Sequence, residues 1–110
     1  MRMEEDSEIT VLELKRLIDS GAHVSLIDVR EPREYALCHI EGSRLIPLNQ
    51  IPSKVKELNP EMEYVVYCHV GERSAFAVNY LRRLGISKAR SLKGGIDQWA
   101  AKIDPSMPRY

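Results

Sequence analysis

No stretch of the 110-residue chain approaches the ~20 consecutive apolar residues that a membrane-spanning helix requires, which excludes a span of that kind. An excess of charge of one sign is missing too. Lys+Arg and Asp+Glu both number 16, for a formal net charge of zero, so a dedicated nucleic-acid or polybasic membrane binder would gain no long-range steering. The opening Met1-Arg2-Met3-Glu4-Glu5-Asp6 lacks the apolar core of a signal peptide, and the expected compartment is the reducing cytoplasm. Only two cysteines are present, and in that setting they point to thiol chemistry rather than a structural disulfide. There is no internal repeat and no low-complexity tract. The length suffices for one hydrophobic core and is too short for two ordinary domains.

The pattern alternates short apolar runs with amphipathic ones. Residues 1–8 are acidic and polar and are expected to be flexible, leaving 9–110 as a single domain. Thr10-Val11-Leu12-Glu13 reads as a capping box, Val11, Leu14, Leu17 and Ile18 follow helical spacing, and Gly21 marks the stop. Strands are predicted over 24–29, 44–48, 64–68 and 89–92. Helices are predicted over 31–37, with Pro32 in the first turn, over 51–58, over 73–84 and after Gly94-Gly95, the last carrying Ile96, Trp99, Ala100 and Ile103. Such alternation implies right-handed crossovers and an α/β fold with a parallel sheet covered on both faces. Reactive groups in these folds gather beyond the C-terminal strand ends. Two predicted strands end in chemically capable residues: Asp28-Val29-Arg30 after one, Cys68 after another.

Cys68-His69-Val70-Gly71-Glu72-Arg73-Ser74 joins the strongest predicted strand to a helix start. A cysteine at the head of such a turn meets backbone N–H groups and the positive end of a helix dipole, and both favour the nucleophilic thiolate. Gly71 permits a tight turn with N–H groups pointing inward. Arg73 supplies a charge that either holds the loop closed or meets an anion.

Here the sequence resembles the rhodanese family of sulfurtransferases. Leu26-Ile27-Asp28-Val29-Arg30-Glu31-Pro32-Arg33-Glu34-Tyr35 resembles its D-x-R-E-x-x-E-[YF] segment, and His39-Ile40-Glu41-Gly42-Ser43 its H-I-x-G-[AS] segment. Residues 68–74 resemble its C-x-x-G-x-R-S loop, and Leu92-Lys93-Gly94-Gly95-Ile96-Asp97-Gln98-Trp99 its L-x-G-G-x-x-x-W segment. The resemblance implies a central parallel sheet of about five short strands with helices on both faces. It implies that Cys68 carries a sulfane sulfur as a persulfide, taken from a donor such as thiosulfate or a cysteine desulfurase. The backbone amides of His69, Val70, Gly71, Glu72 and Arg73 are then expected to cradle the outer sulfur. Asp28, Arg30, His39 and Ser74 are expected to support the loop, and no cofactor is called for.

Competing readings follow from the same residues. Cys68 to Arg73 spans six residues, C-x4-R, whereas related phosphatase and arsenate-reductase loops are one residue longer and wide enough for an oxyanion. A partner-binding module without catalysis is the alternative from another class, which loss of the cysteine would favour. Cys38-His39 with Cys68-His69 makes up a two-cysteine, two-histidine set, but adjacent residues rarely aim at one zinc ion, so no metal is expected. Cys38 stands where many rhodaneses carry glycine and reads as an inert, partly buried thiol, with a resolving thiol as the other option. His23 reads as a solvated turn residue and Trp99 as core. The ending, residues 99–110, resembles those of rhodanese domains attached to adenylyltransferases acting on ubiquitin-like sulfur-carrier proteins. That implies a sulfur-carrier protein as acceptor. From the neutral charge and the short apolar runs no nucleic-acid or membrane partner is expected, and the protein is expected to be a monomer.

Overall fold

A computed structural model of the protein describes residues 7–110. Within it the chain runs β1 (Glu8–Ile9), α1 (Val11–Asp19), β2 (Val24–Asp28), α2 (Pro32–Leu37), β3 (Arg44–Leu45), α3 (Ile51–Lys54), β4 (Glu63–Tyr67), α4 (Glu72–Arg83), β5 (Ala89–Leu92) and α5 (Gly95–Lys102). The five strands form one sheet in the order β1-β5-β4-β2-β3, and every pairing is parallel.

The alternation along β4 shows why helices cover both faces. Tyr64 and Val66 point to one side, where Ile51, Ala77, Val78 and Leu81 of α3 and α4 pack. Val65 and Tyr67 point to the other, against Val11 and Leu14 of α1 and Ile96 and Trp99 of α5. A strand segment buried on both faces must be apolar, which is why Tyr64-Val65-Val66-Tyr67 is the clearest strand in the sequence. The predicted Thr10 capping box is present, with Glu13 N–H donating to Thr10 Oγ1 at 3.1 Å and Thr10 N–H to Glu13 Oε1 at 2.9 Å.

Three elements depart from the sequence reading. Glu8, assigned to a flexible end, belongs to β1, which pairs with β5 through Glu8↔Ser91 and Ile9↔Leu92; residues 1–6 of that expected flexible end lie outside the described residues. Two residues carry too little pattern to reveal a strand, and β1 exists because β5 offers it free N–H groups: Ser91 N–H donates to Ser7 O and Lys93 N–H to Ile9 O. The strand predicted over 44–48 is only Arg44–Leu45, although Ile46 N–H still donates to Asp28 O and Leu48 N–H to Val29 O beyond its end. The helix predicted over 51–58 is one α-turn flanked by 3₁₀ turns.

The two central strands β2 and β4 place Asp28 opposite Tyr67 in register. The C-terminal end of each therefore opens onto the same edge of the sheet, and the two segments singled out by their chemistry meet there.

Candidate active site

The loop after β4 folds around its own first side chain. Cys68 is 1% exposed, and its Sγ accepts a hydrogen bond from Gly71 N–H at 3.1 Å and another from Ser74 N–H at 3.4 Å. Gly71 adopts φ +108°, in the left-handed region that disfavours any side chain, and it is the N-cap of α4. The sulfur thus sits at the N-terminus of a 12-residue helix, where unpaired N–H groups and the dipole favour negative charge. The Ser74 amide is a donor that the sequence reading had not placed in the cradle.

Behind the sulfur lies a short run of hydroxyls. The Cys68 thiol donates to Ser74 Oγ at 3.5 Å, and Ser74 Oγ is 2.7 Å from Ser91 Oγ on β5. Both serines are buried. Ser91 was not singled out from the sequence, although it is the lone small hydroxyl residue within the strand Ala89–Leu92.

The double glycine after β5 explains the loop's backbone orientation. Ile96 N–H donates to Cys68 O at 2.9 Å and Asp97 N–H to His69 O at 3.0 Å. The first turn of α5 therefore draws two loop carbonyls outward, away from the sulfur. A Cβ on Gly95 would come within 2.6 Å of Cys68 O and would also overlap His69 O, so any side chain here requires the loop carbonyls to shift.

Charged residues form a second layer. Asp28 and Arg30 are fully buried and joined by a bidentate pair, with Nη2 to Oδ2 at 2.7 Å and Nε to Oδ1 at 2.9 Å. Arg30 Nη2 also donates to Cys38 O at 2.6 Å, and Nη1 to Tyr110 Oη at 2.7 Å. Burial opposes the Arg30 charge, but the bonds to Asp28 and Tyr110 more than offset it and its pKa is raised. Arg73 pairs with Glu34 through two bonds of 2.8 and 3.0 Å. Glu34 also accepts from Glu31 N–H and Tyr110 Oη–H. The Arg73 guanidinium foremost, helped by these donors and opposed by partial burial, holds the Glu34 carboxyl at about 2.

Of the residues singled out in the sequence, Cys68, Gly71, Arg73, Ser74, Asp28 and Arg30 share this corner. His69 stacks on Tyr110, with ring centroids 4.1 Å apart. Val70 and Glu72 are exposed at the loop's rim. His39 is exposed and does not bond to the loop after β4: its ring stacks on Tyr35 and its Nδ1 lies 3.0 Å from Tyr35 O, which fixes the end of α2. Cys38 is buried in the core between sheet and α5, and both cysteines are free thiols.

The rhodanese-like domain pattern matches residues 10–102. The chain belongs to the rhodanese-like domain family. Among relatives of this rhodanese-like domain, the Mycobacterium tuberculosis protein named probable adenylyltransferase/sulfurtransferase MoeZ is 42% identical over 106 residues, 94% of this chain. The match spans 27% of MoeZ, so the chain corresponds to about a quarter of that protein. The human single-domain sulfurtransferase TSTD1 superposes with a TM-score of 0.82 at 28% identity, covering 87% of this chain and 96% of the other. A Staphylococcus saprophyticus protein, SSP1007, gives a TM-score of 0.81 at 36% identity over 88% of this chain and 96% of the other.

Proposed function

We propose that the protein is a sulfurtransferase that carries sulfane sulfur as a persulfide on Cys68. One observation carries the reading: a buried sulfur at a helix N-terminus, held by the Gly71 amide of a six-residue loop and by the amide of Ser74 just beyond it. With thiosulfate as donor, the Cys68 thiolate attacks the outer sulfur, an S–S bond forms, and sulfite leaves with the electron pair of the broken bond. An acceptor nucleophile then attacks the outer sulfur of the persulfide and Cys68 departs as thiolate. In both steps the fixed amide donors stabilise negative charge on sulfur without reorganising, which lowers the barrier more than water would. The loop amides of 69–73, with that of Ser74, are the expected cradle for the outer sulfur. Asp28 and Arg30 hold the neighbouring strand end, and Arg73 braces the loop against α2.

The expected donors are thiosulfate or a persulfidated cysteine desulfurase in the reducing cytoplasm. The expected acceptor is a sulfur-carrier protein, as the adenylyltransferase/sulfurtransferase relatives suggest. Intact-mass measurement after incubation with each donor tests the reading. The expected result is a gain of one sulfur atom that maps to Cys68, is released by cyanide and is absent in Cys68→Ser. A protein that gains no sulfur from any donor is the outcome that overturns it, and a non-catalytic binding module takes its place.

A further inference from the structure

Segment 104–110 doubles back over the sheet edge. Asp104 N–H donates to Trp99 O, Met107 N–H to Asp104 O, and Arg109 pairs with Asp97 on α5 at 3.0 Å. Asp97 is the same residue whose N–H holds His69 O. The segment and the loop are therefore anchored on one turn of one helix.

Tyr110 makes the contacts that matter. Its ring stacks on His69 at 4.1 Å with planes 13° apart. Its hydroxyl donates to Glu34 Oε2 at 2.7 Å and accepts from Arg30 Nη1 at 2.7 Å. Glu34 in turn grips Arg73. His69 and Arg73 are the second and last residues of the six-residue loop, and Tyr110 connects them, touching His69 directly and reaching Arg73 through Glu34. His69 Nε2 is shut off from solvent and has no hydrogen-bond partner among the described residues. Cys68 itself is 1% exposed, so a reagent reaches it only when something at the rim yields.

We propose that Tyr110 controls access to Cys68, as a side chain laid across the mouth of the loop that selects sulfur compounds by size. The proposal rests on the sulfurtransferase reading for its biological meaning, but not for its test. Tyr110 is 42% exposed and the Arg109–Asp97 pair is exposed as well, so the contacts are of the kind a docking partner can displace. Small reagents pass when Tyr110 swings out alone.

The test is the alkylation rate of Cys68, read by peptide mass with Cys38 as an internal control. Iodoacetamide and the bulkier N-ethylmaleimide are compared on the full chain. Tyr110→Ala is expected to speed Cys68 alkylation about tenfold, equivalent to about 1.4 kcal/mol, and by a larger factor for N-ethylmaleimide. Tyr110→Phe keeps the ring on His69 and should accelerate less. Arg109→Ala, which loosens the segment from an exposed position, should accelerate modestly and covers the case in which Tyr110→Ala does not fold. A Tyr110→Ala rate within twofold of wild type overturns the proposal, and so does equal acceleration at Cys38, which signals general loosening. Equal rates in Tyr110→Phe and Tyr110→Ala would show that the ring does not cover Cys68 and would likewise overturn the proposal. The wild-type persulfide yield reports on the sulfurtransferase reading separately.

Discussion

Three contacts hold the Cys68 sulfur, from the Gly71 and Ser74 amides and the Ser74 hydroxyl, and substitutions at and around it test the proposed role. Cys68→Ser keeps the size and hydrogen-bonding capacity of the side chain, so the fold should survive while sulfur transfer is lost. Cys38→Ser should retain most activity, because Cys38 lies in the core away from the amide cradle. Turnover assays on the two purified variants check both outcomes, and total loss in Cys38→Ser would mean a two-cysteine relay. Glu34 makes a pH-dependent contribution. Its carboxyl sits at about 2 in the folded protein against an ordinary 4.5. The stabilisation it provides is therefore complete above pH 4.5 and is lost as pH falls through about 2. Glu34→Gln should cost about 1–2 kcal/mol at pH 7, since a bidentate, partly buried pair exceeds an ordinary surface one. Denaturant titrations should show that gap narrowing between pH 4.5 and 3. A gap that stays constant with pH would show that the Arg73–Glu34 pair is not its source.

Among the elements, α5 does more than cover the sheet. Its first turn holds the carbonyls of Cys68 and His69, and Gly95 makes the approach possible at φ +63°. Gly95→Ala is expected to destabilise by about 1–3 kcal/mol, because the new methyl must push the loop carbonyls aside in a backbone region that disfavours it. It should also lower sulfur transfer in molecules that remain folded. Leu81→Ala serves as the contrast: Leu81 is fully buried in α4 and should cost about 2–5 kcal/mol in stability while leaving activity per folded molecule unchanged. Measuring both variants at a temperature where each is folded separates the two effects. Equal specific activities would mean that α5 does not shape the cradle.

At the scale of the molecule, charge argues about partners. The net charge is zero, and Arg73 at the loop is already neutralised by Glu34. A small dianion such as thiosulfate therefore gains little steering. A protein donor or acceptor draws binding energy from surface away from the reacting sulfur. We expect measurable but inefficient thiosulfate:cyanide activity and a higher kcat/KM with a persulfidated desulfurase, measured side by side. A wide margin in favour of thiosulfate would replace the protein-partner reading with a general sulfurtransferase.

The sequence by itself determined the alternation of strands and helices and the identity of the candidate loop. Those features rest on local rules: side-chain period, capping residues, and a glycine, arginine and cysteine within a few positions of each other. Asp28 and Arg30 were legible too, because they follow a clear strand. Only the tertiary structure decided what the long-range partners are. Strand β1 is two residues long and takes its conformation from β5. Glu34 stood within a quoted motif without a role, since its partner Arg73 is 39 positions away; the complementary charge was its one signal. Tyr110 meets Glu34 across 76 positions. Ser91 looks like a minor polar lapse in a strand until the packing of α4 on β5 brings it beside Ser74. Periodicity and propensity report what a residue prefers among its neighbours in the chain. Which side chains meet around Cys68 depends on the strand order β1-β5-β4-β2-β3, which sets the ends of β2, β4 and β5 side by side, and on the helices that must cover both faces of that sheet.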